Sequence, residues 1–181
     1  MIDETYVGSK WANMKKTKRT KMQEQRTENK VPVMGLMERG GKARLAVIGR
    51  NSFKDMVREN VATTAIVVTD EHGAYQGLDQ EYNGHVTINH SQLEFVRDGF
   101  STNNVEGMFG ILKRSIIGIY HQVSISHLHR YCNEVSYRYN TRKIKDCDRF
   151  IDAMQKTSGR LIYEDLIGRP KKGKKSQVTS L

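Results

Sequence analysis

Residues Ala65–Tyr75 read AIVVTDEHGAY, and the rest of the chain is best read outward from them. Ala65, Ile66, Val67 and Val68 form a short continuous apolar run, and all but the alanine are β-branched. A run of that length, bounded by polar residues and glycine, fits a buried strand better than a helix. It ends at Thr69–Asp70, and Gly73 soon interrupts the chain beyond it. Asp70 therefore stands where a core strand surfaces, a usual position for a catalytic group in an α/β sheet. The competing reading is structural: the Asp70 carboxylate caps the short turn or helix around His72–Tyr75. Partners elsewhere in the chain decide between the two.

At 181 residues the chain is long enough for one substantial core, which predicts a single folded domain. It holds no apolar run of about 18 residues, so a membrane span is not expected. Its first residues lack the basic, apolar and small-residue order of a signal peptide. Cys132 and Cys147 stand in neither metal-binding nor disulfide spacing. A reducing compartment is the expectation, with both thiols as ordinary core or surface groups.

The net charge is +10 and the isoelectric point near 9.6. That balance favours a polyanionic partner, nucleic acid above all. The charge is concentrated. Residues 9–30 carry eight Lys or Arg, Lys15, Lys16, Lys18 and Arg19 among them, against Glu24 and Glu28. RPKKGKK at 169–175 adds five more without an acid. The first segment reads as a long exposed basic loop and 156–181 as a basic, flexible tail.

Before the central strand, IDETYVG (2–8) alternates like a strand, with Tyr6 and Val7 on opposite faces. Asp3 lies within it, where an acid is unusual unless it faces solvent or does chemistry. Val31–Glu38 and Ala43–Ile48 read as an antiparallel hairpin, with Gly40–Gly41 supplying the positive φ angles of the turn. Asn51 or Ser52 is placed to cap a short helix reaching about Asn60, with Phe53, Met56 and Val57 on one face. After the central strand, His85–Ile88 offers another. The last third is helical. Thr102–Ile117 sets Val105, Met108, Phe109, Leu112 and Ile116 at steps of three and four, the core stripe. Asn103, Glu106, Gly110 and Lys113 gather on an adjacent face, where Gly110 suggests a close approach. A second helix runs from Ser124 or Ser126 to about Asn140, with Leu128, Tyr131, Cys132, Val135 and Tyr139 apolar and Glu134–Arg138 spaced as an ion pair. Phe150–Met154 adds a short helical turn. His127 and His129 point to different sides of a helix, which makes a poor zinc site, and His72 has no assigned role.

Asp3 on the first strand, Asp70 ending the fourth and Glu106 near a helix start supply hard oxygen ligands from separate elements. Such a set suits two divalent ions. Lys113, two turns beyond Glu106, is placed to hold a phosphate as a point charge.

The segments DETYVG, VVTDEHGAY, STNNVEGMFGILKR and HLHRYCNEVSYRYNTR, in this order between about 2 and 143, resemble bacterial insertion-sequence transposases of the DDE superfamily. More narrowly, they resemble the ISXO2-like group with a DD(N/E)K signature. The resemblance implies an α/β, ribonuclease H-like mixed sheet flanked by helices over 1–155. It also implies DNA cleavage and strand transfer by in-line displacement, using two Mg²⁺ ions or Mn²⁺ in their place. Asp3 and Asp70 match the first two acids. Glu106 is the favoured third, with Asn103 as co-ligand or substitute, and Lys113 matches the lysine. DNA is the implied partner, contacted by the basic loop, Lys113, Arg114, Arg138 and Arg142, in a homo-oligomeric, dimeric synaptic complex. Arg138 and Arg142 read equally well as cations closing a helix end.

Members of this group carry a zinc-ribbon or helix-turn-helix region before the first aspartate. Here Asp3 is the third residue and no CxxC pair occurs. The expectation is a trimmed catalytic domain or a truncated copy lacking sequence-specific end recognition. A catalytically inactive relic acting as a basic DNA-binding or dimerisation module is the alternative. A hybrid-cleaving ribonuclease H-like nuclease is a weaker third.

Overall fold

The computed structural model describes residues 1–8, 16–17, 20, 30–49, 53–89, 92, 96–97, 99–157, 159 and 163. In it the alternation of IDETYVG forms strand β1, Ile2–Gly8, with Val7 buried and Tyr6 46% exposed. β1 pairs antiparallel with β2, Lys30–Met37, which pairs antiparallel with β3, Ala43–Val47. The register sets Asp3 opposite Gly35 and Gly35 opposite Leu45. The hairpin turn closes through Gly41 N–H donating to Glu38 O at 3.1 Å. Of its two glycines only Gly40 has a positive φ, 72°, so the expectation that both supply one is corrected. A Cβ at Gly41 would stand 2.2 Å from Oε2 of the exposed Glu38 side chain, which would have to move aside.

Helix α1, Phe53–Asn60, buries Phe53 and Val57; the caps expected at Asn51 and Ser52 lie outside the described residues. The central apolar run forms β4, Ile66–Thr69, which pairs in parallel with β5, Gly84–Thr87. Among the described residues the strands form two hydrogen-bonded sheets, antiparallel β1-β2-β3 and parallel β4-β5, in place of one mixed sheet. A cavity of about 820 Å³ has Met1, Ile2 and Ala65–Val68 among its lining residues.

Side-chain alternation gives the three-stranded sheet two different faces. Val7, Val33 and Leu45 pack against Val105, Met108, Phe109 and Leu112 of helix α2, Asn103–Gly118, and against Leu128, Cys132 and Val135 of helix α3, Leu128–Asn140. Ile2, Met34 and Leu36 pack on the other face with α1, Val67, Tyr75 and Leu78. The glycine that permits close approach is Gly35, where a Cβ would stand 2.6 Å from Val105 Cγ1. At Gly110 a Cβ would meet nothing within 4 Å among the described residues, so no packing contact there calls for a glycine.

Helix α3 also covers the outer edge of β3. Ser136 Oγ accepts from Leu45 N–H, and the Asn140 amide both accepts from Ala43 N–H and donates to Ala43 O, each at 2.8 Å. These bonds occupy backbone groups that an edge strand otherwise leaves open. Burial pushes the Cys132 thiol up to about 11, while Cys147 is exposed.

The chain divides into two compact units, Met1–Lys143 and Ile144–Leu181. The second contains helix α4, Asp146–Gln155. It is longer than the turn expected over Phe150–Met154 because Asp146 and Asp148 favour a helix N-terminus, a signal that counting apolar residues does not see. No described helix is long and apolar enough to cross a membrane.

Candidate metal centre

Three carboxylates meet where β1 passes the end of β4. Oxygens of Asp3, Glu4 and Asp70 all lie within 4.8 Å of one another. Asp3 and Glu4 are neighbours on one strand and so leave it on opposite faces. Asp3 emerges on the α2 side, in register with Gly35; Glu4 emerges on the α1 side, beside Tyr75. Asp70, one residue past β4, completes the group from a second sheet.

The fold holds each acid differently. Asp3 Oδ1 accepts the Glu4 N–H at 2.8 Å. Burial, reinforced by the charges of Asp70, Glu4 and Glu106, nevertheless pushes its carboxyl up to about 7. Glu4 has a side chain only 6% exposed. Its Oε2 accepts the Tyr75 hydroxyl at 2.6 Å, and Oε1 lies 3.4 Å from His72 Nδ1. Burial and the Asp70 charge raise the Glu4 carboxyl, against the opposing effects of Tyr75 and His72. Burial and the bond to Glu4 likewise push the Tyr75 phenol up. The Tyr75 ring is fixed by an edge contact with Phe53 of α1 at 6.3 Å between centroids.

Asp70 meets both of its sequence readings. Its Oδ1 accepts the His72 N–H at 3.1 Å, the local turn contact, and it faces the other two acids. Beside it opens a cavity of about 360 Å³ lined also by His72, Asp79, His85 and Thr87. Burial lowers the His85 imidazole, which stands 2.8 Å from Thr69 Oγ1 through Nε2.

The structure brings Asp3 and Asp70 together across 67 residues of sequence. Glu106, in the first turn of α2, is near enough for its charge to act on Asp3 but is not part of the three-carboxylate group. The buried Thr102 hydroxyl donates to Glu106 Oε1 at 3.0 Å and fixes its direction. Asn103, Lys113 and Arg114 are exposed on α2. Arg138 pairs with Glu134 at 3.1 Å, and Arg142 lies 3.9 Å over the Tyr139 ring and donates to Tyr139 O. Both arginines thus take up the helix-end role. Lys16 is exposed; Lys15, Lys18 and Arg19 lie outside the described residues.

Four contributors do not stand out in the sequence: Glu4, Tyr75, Thr102 and Gly35. Glu4 and Tyr75 both sit inside the motifs that carry the resemblance. The available signal is an acid at an inward position of a strand and an aromatic just after the second aspartate.

A donor set of half-buried carboxylates without sulfur or a committed imidazole suits a hard divalent cation. Burial, and after it the charges of the neighbouring acids, disfavours the Asp3 anion, and a bound cation offsets that repulsion. The residues present therefore fit a hard divalent cation.

A family model described as the ISXO2-like transposase domain matches residues 1–140. No curated protein and no solved structure matches the chain.

Proposed function

The chain belongs to the ISXO2-like transposase domain family, and from that premise we propose that it is a DDE-type catalytic domain with a ribonuclease H-like fold, cutting and joining DNA by metal-dependent phosphodiester transfer. The observation that carries this reading is the convergence of Asp3 and Asp70, from separate sheets, into one crowded carboxylate group.

Asp3 and Asp70 would hold divalent ions, with Glu106, or Asn103 in its place, completing the set from α2. Bound Mg²⁺ or Mn²⁺ supplies charge stabilisation at the scissile phosphate and lowers the pKa of the attacking water or 3′-hydroxyl. The chain's own part is positioning. Asp3 must give up its proton to act as a ligand, which a carboxyl near 7 does readily at neutral pH. Thr102 aims Glu106 along the helix start. Lys113, exposed two turns further on, offers a point charge to a neighbouring phosphate. Arg114, Lys15, Lys16, Lys18 and Arg19 add contacts to the DNA backbone that carry little sequence information. Arg138 and Arg142 contribute less, being engaged on α3. A homodimeric synaptic complex is the assembly this chemistry calls for, because two DNA ends are joined to one target.

Nicking and strand transfer on plasmid DNA test the reading, with Mg²⁺ or Mn²⁺ and with Asp70→Ala beside the native chain. Metal-dependent activity that falls to background in the variant is expected. Equal inertness of both, with salt-sensitive DNA binding retained, would replace the enzyme by a basic DNA-binding module.

A further inference from the structure

We infer that Glu4 is a ligand of the same metal centre and that Tyr75 is the positioning residue that aims it. The inference rests on the transposase reading above and adds a carboxylate outside the signature Asp3, Asp70, Glu106 and Asn103.

Three observations carry it. First, one Glu4 carboxylate oxygen falls within 4.8 Å of a ligand oxygen on each of Asp3 and Asp70. Two oxygens on one hard cation stand no further apart than about twice the metal–oxygen distance, roughly 4–5 Å across the range from Mg²⁺ to Ca²⁺. Second, the side chain is 6% exposed, yet among the described residues its only ion-pair contact is His72. A buried carboxylate without a Lys or Arg is expensive unless it binds a metal or is otherwise neutralised. Third, the Tyr75 hydroxyl takes one acceptor site on Oε2 at 2.6 Å and leaves others. Tyr75 is itself fixed by Phe53 and by a ring contact with His72, so the carboxylate is held in one orientation. An oriented ligand backed by a fixed hydrogen-bond donor is the arrangement that tunes metal sites.

The direction of approach separates Glu4 from Glu106. Glu4 leaves β1 on the face packed by α1 and Tyr75, whereas Glu106 comes from α2 on the opposite face.

Binding of Mn²⁺ to the full chain, followed by the loss of the free-ion electron paramagnetic resonance signal, tests this without reference to activity. The native chain is compared with Asp70→Asn, Glu4→Gln and Tyr75→Phe, and the melting temperature of each is recorded. Glu4→Gln keeps an oxygen for the Tyr75 hydroxyl, so it preserves the buried contact while removing the charge. The expected result is a loss of Mn²⁺ affinity of at least about tenfold in Glu4→Gln and in Asp70→Asn. Tyr75→Phe, which leaves the Glu4 charge but unties it, is expected to weaken binding severalfold. Native affinity in Glu4→Gln, with binding lost in Asp70→Asn, would overturn the role of Glu4 and leave the metal reading standing. Should Glu4→Gln fail to fold, native affinity in a folded Tyr75→Phe overturns the inference in the same way. No Mn²⁺ binding by the native chain would remove the metal reading and this inference together.

Discussion

Asp3 is an acid kept where its charge is disfavoured, and that has a consequence for stability. Its carboxyl is raised from 3.8 to about 7 in the folded chain, first by burial and then by its acidic neighbours. Between those two values the folded state keeps a proton that the unfolded state has released. The folded state therefore binds more protons, and stability falls as pH rises from about 4 to 7, then levels off. Thermal unfolding between pH 4.5 and 8 is expected to show this slope in the metal-free protein and a flatter profile in Asp3→Asn. Added Mg²⁺ is expected to raise the melting temperature more at pH 8 than at pH 5, because protons and metal compete for the same oxygens. Gly35 acts at the same scale through sterics. It sits opposite Asp3 and lets α2 approach the sheet, so a methyl group there meets Val105 at 2.6 Å and Phe109 at 3.0 Å. Gly35→Ala is expected to destabilise by about 1–3 kcal/mol, measured by denaturant unfolding.

Among the elements, the edge of β3 is the one whose protection could not be read locally. The hairpin itself is plain from its alternation and its glycines, and the α3 stripe from its spacing. What closes the edge is the pair Ser136 and Asn140, four residues apart on α3, which bond the backbone of Leu45 and Ala43. In sequence they are two ordinary polar residues on a helix; their role exists only once α3 is laid along β3. Asn140→Ala removes two hydrogen bonds and strands both polar groups of Ala43, so a loss of about 1–3 kcal/mol is expected. The double variant with Ser136→Ala reopens the strand edge and is expected to promote self-association, visible by analytical ultracentrifugation as a concentration-dependent increase in mass.

For the molecule as a whole, the excess of ten positive charges favours DNA, but its cations are not equivalent. Lys113 is exposed on the face of α2 that carries Glu106, whereas the Arg142 guanidinium lies over Tyr139 and bonds its carbonyl. Each phosphate contact contributes a slope of about −0.9 to the dependence of log K on log salt for duplex DNA. Lys113→Gln is therefore expected to reduce that slope in magnitude by about 0.9, read by fluorescence anisotropy across a salt series. Arg142→Ala is expected to change it little and to lower thermal stability instead.

Periodicity and composition alone outlined the strands, the two long helices and the basic character, and singled out Asp3 and Asp70 as candidates, because each of these is written in neighbouring residues. Four short motifs in order were enough to suggest the transposase family that the match over residues 1–140 then bore out. Only the tertiary structure decided that Glu4 lies with those acids, that Gly35 rather than Gly110 is the point of close packing, and that the strands form two sheets instead of one. The physical reason is the same in each case. Alternation along a strand sends Asp3 and Glu4 to opposite faces, and nothing in that local rule reveals that Asp70 comes within reach of both from beyond the end of β4.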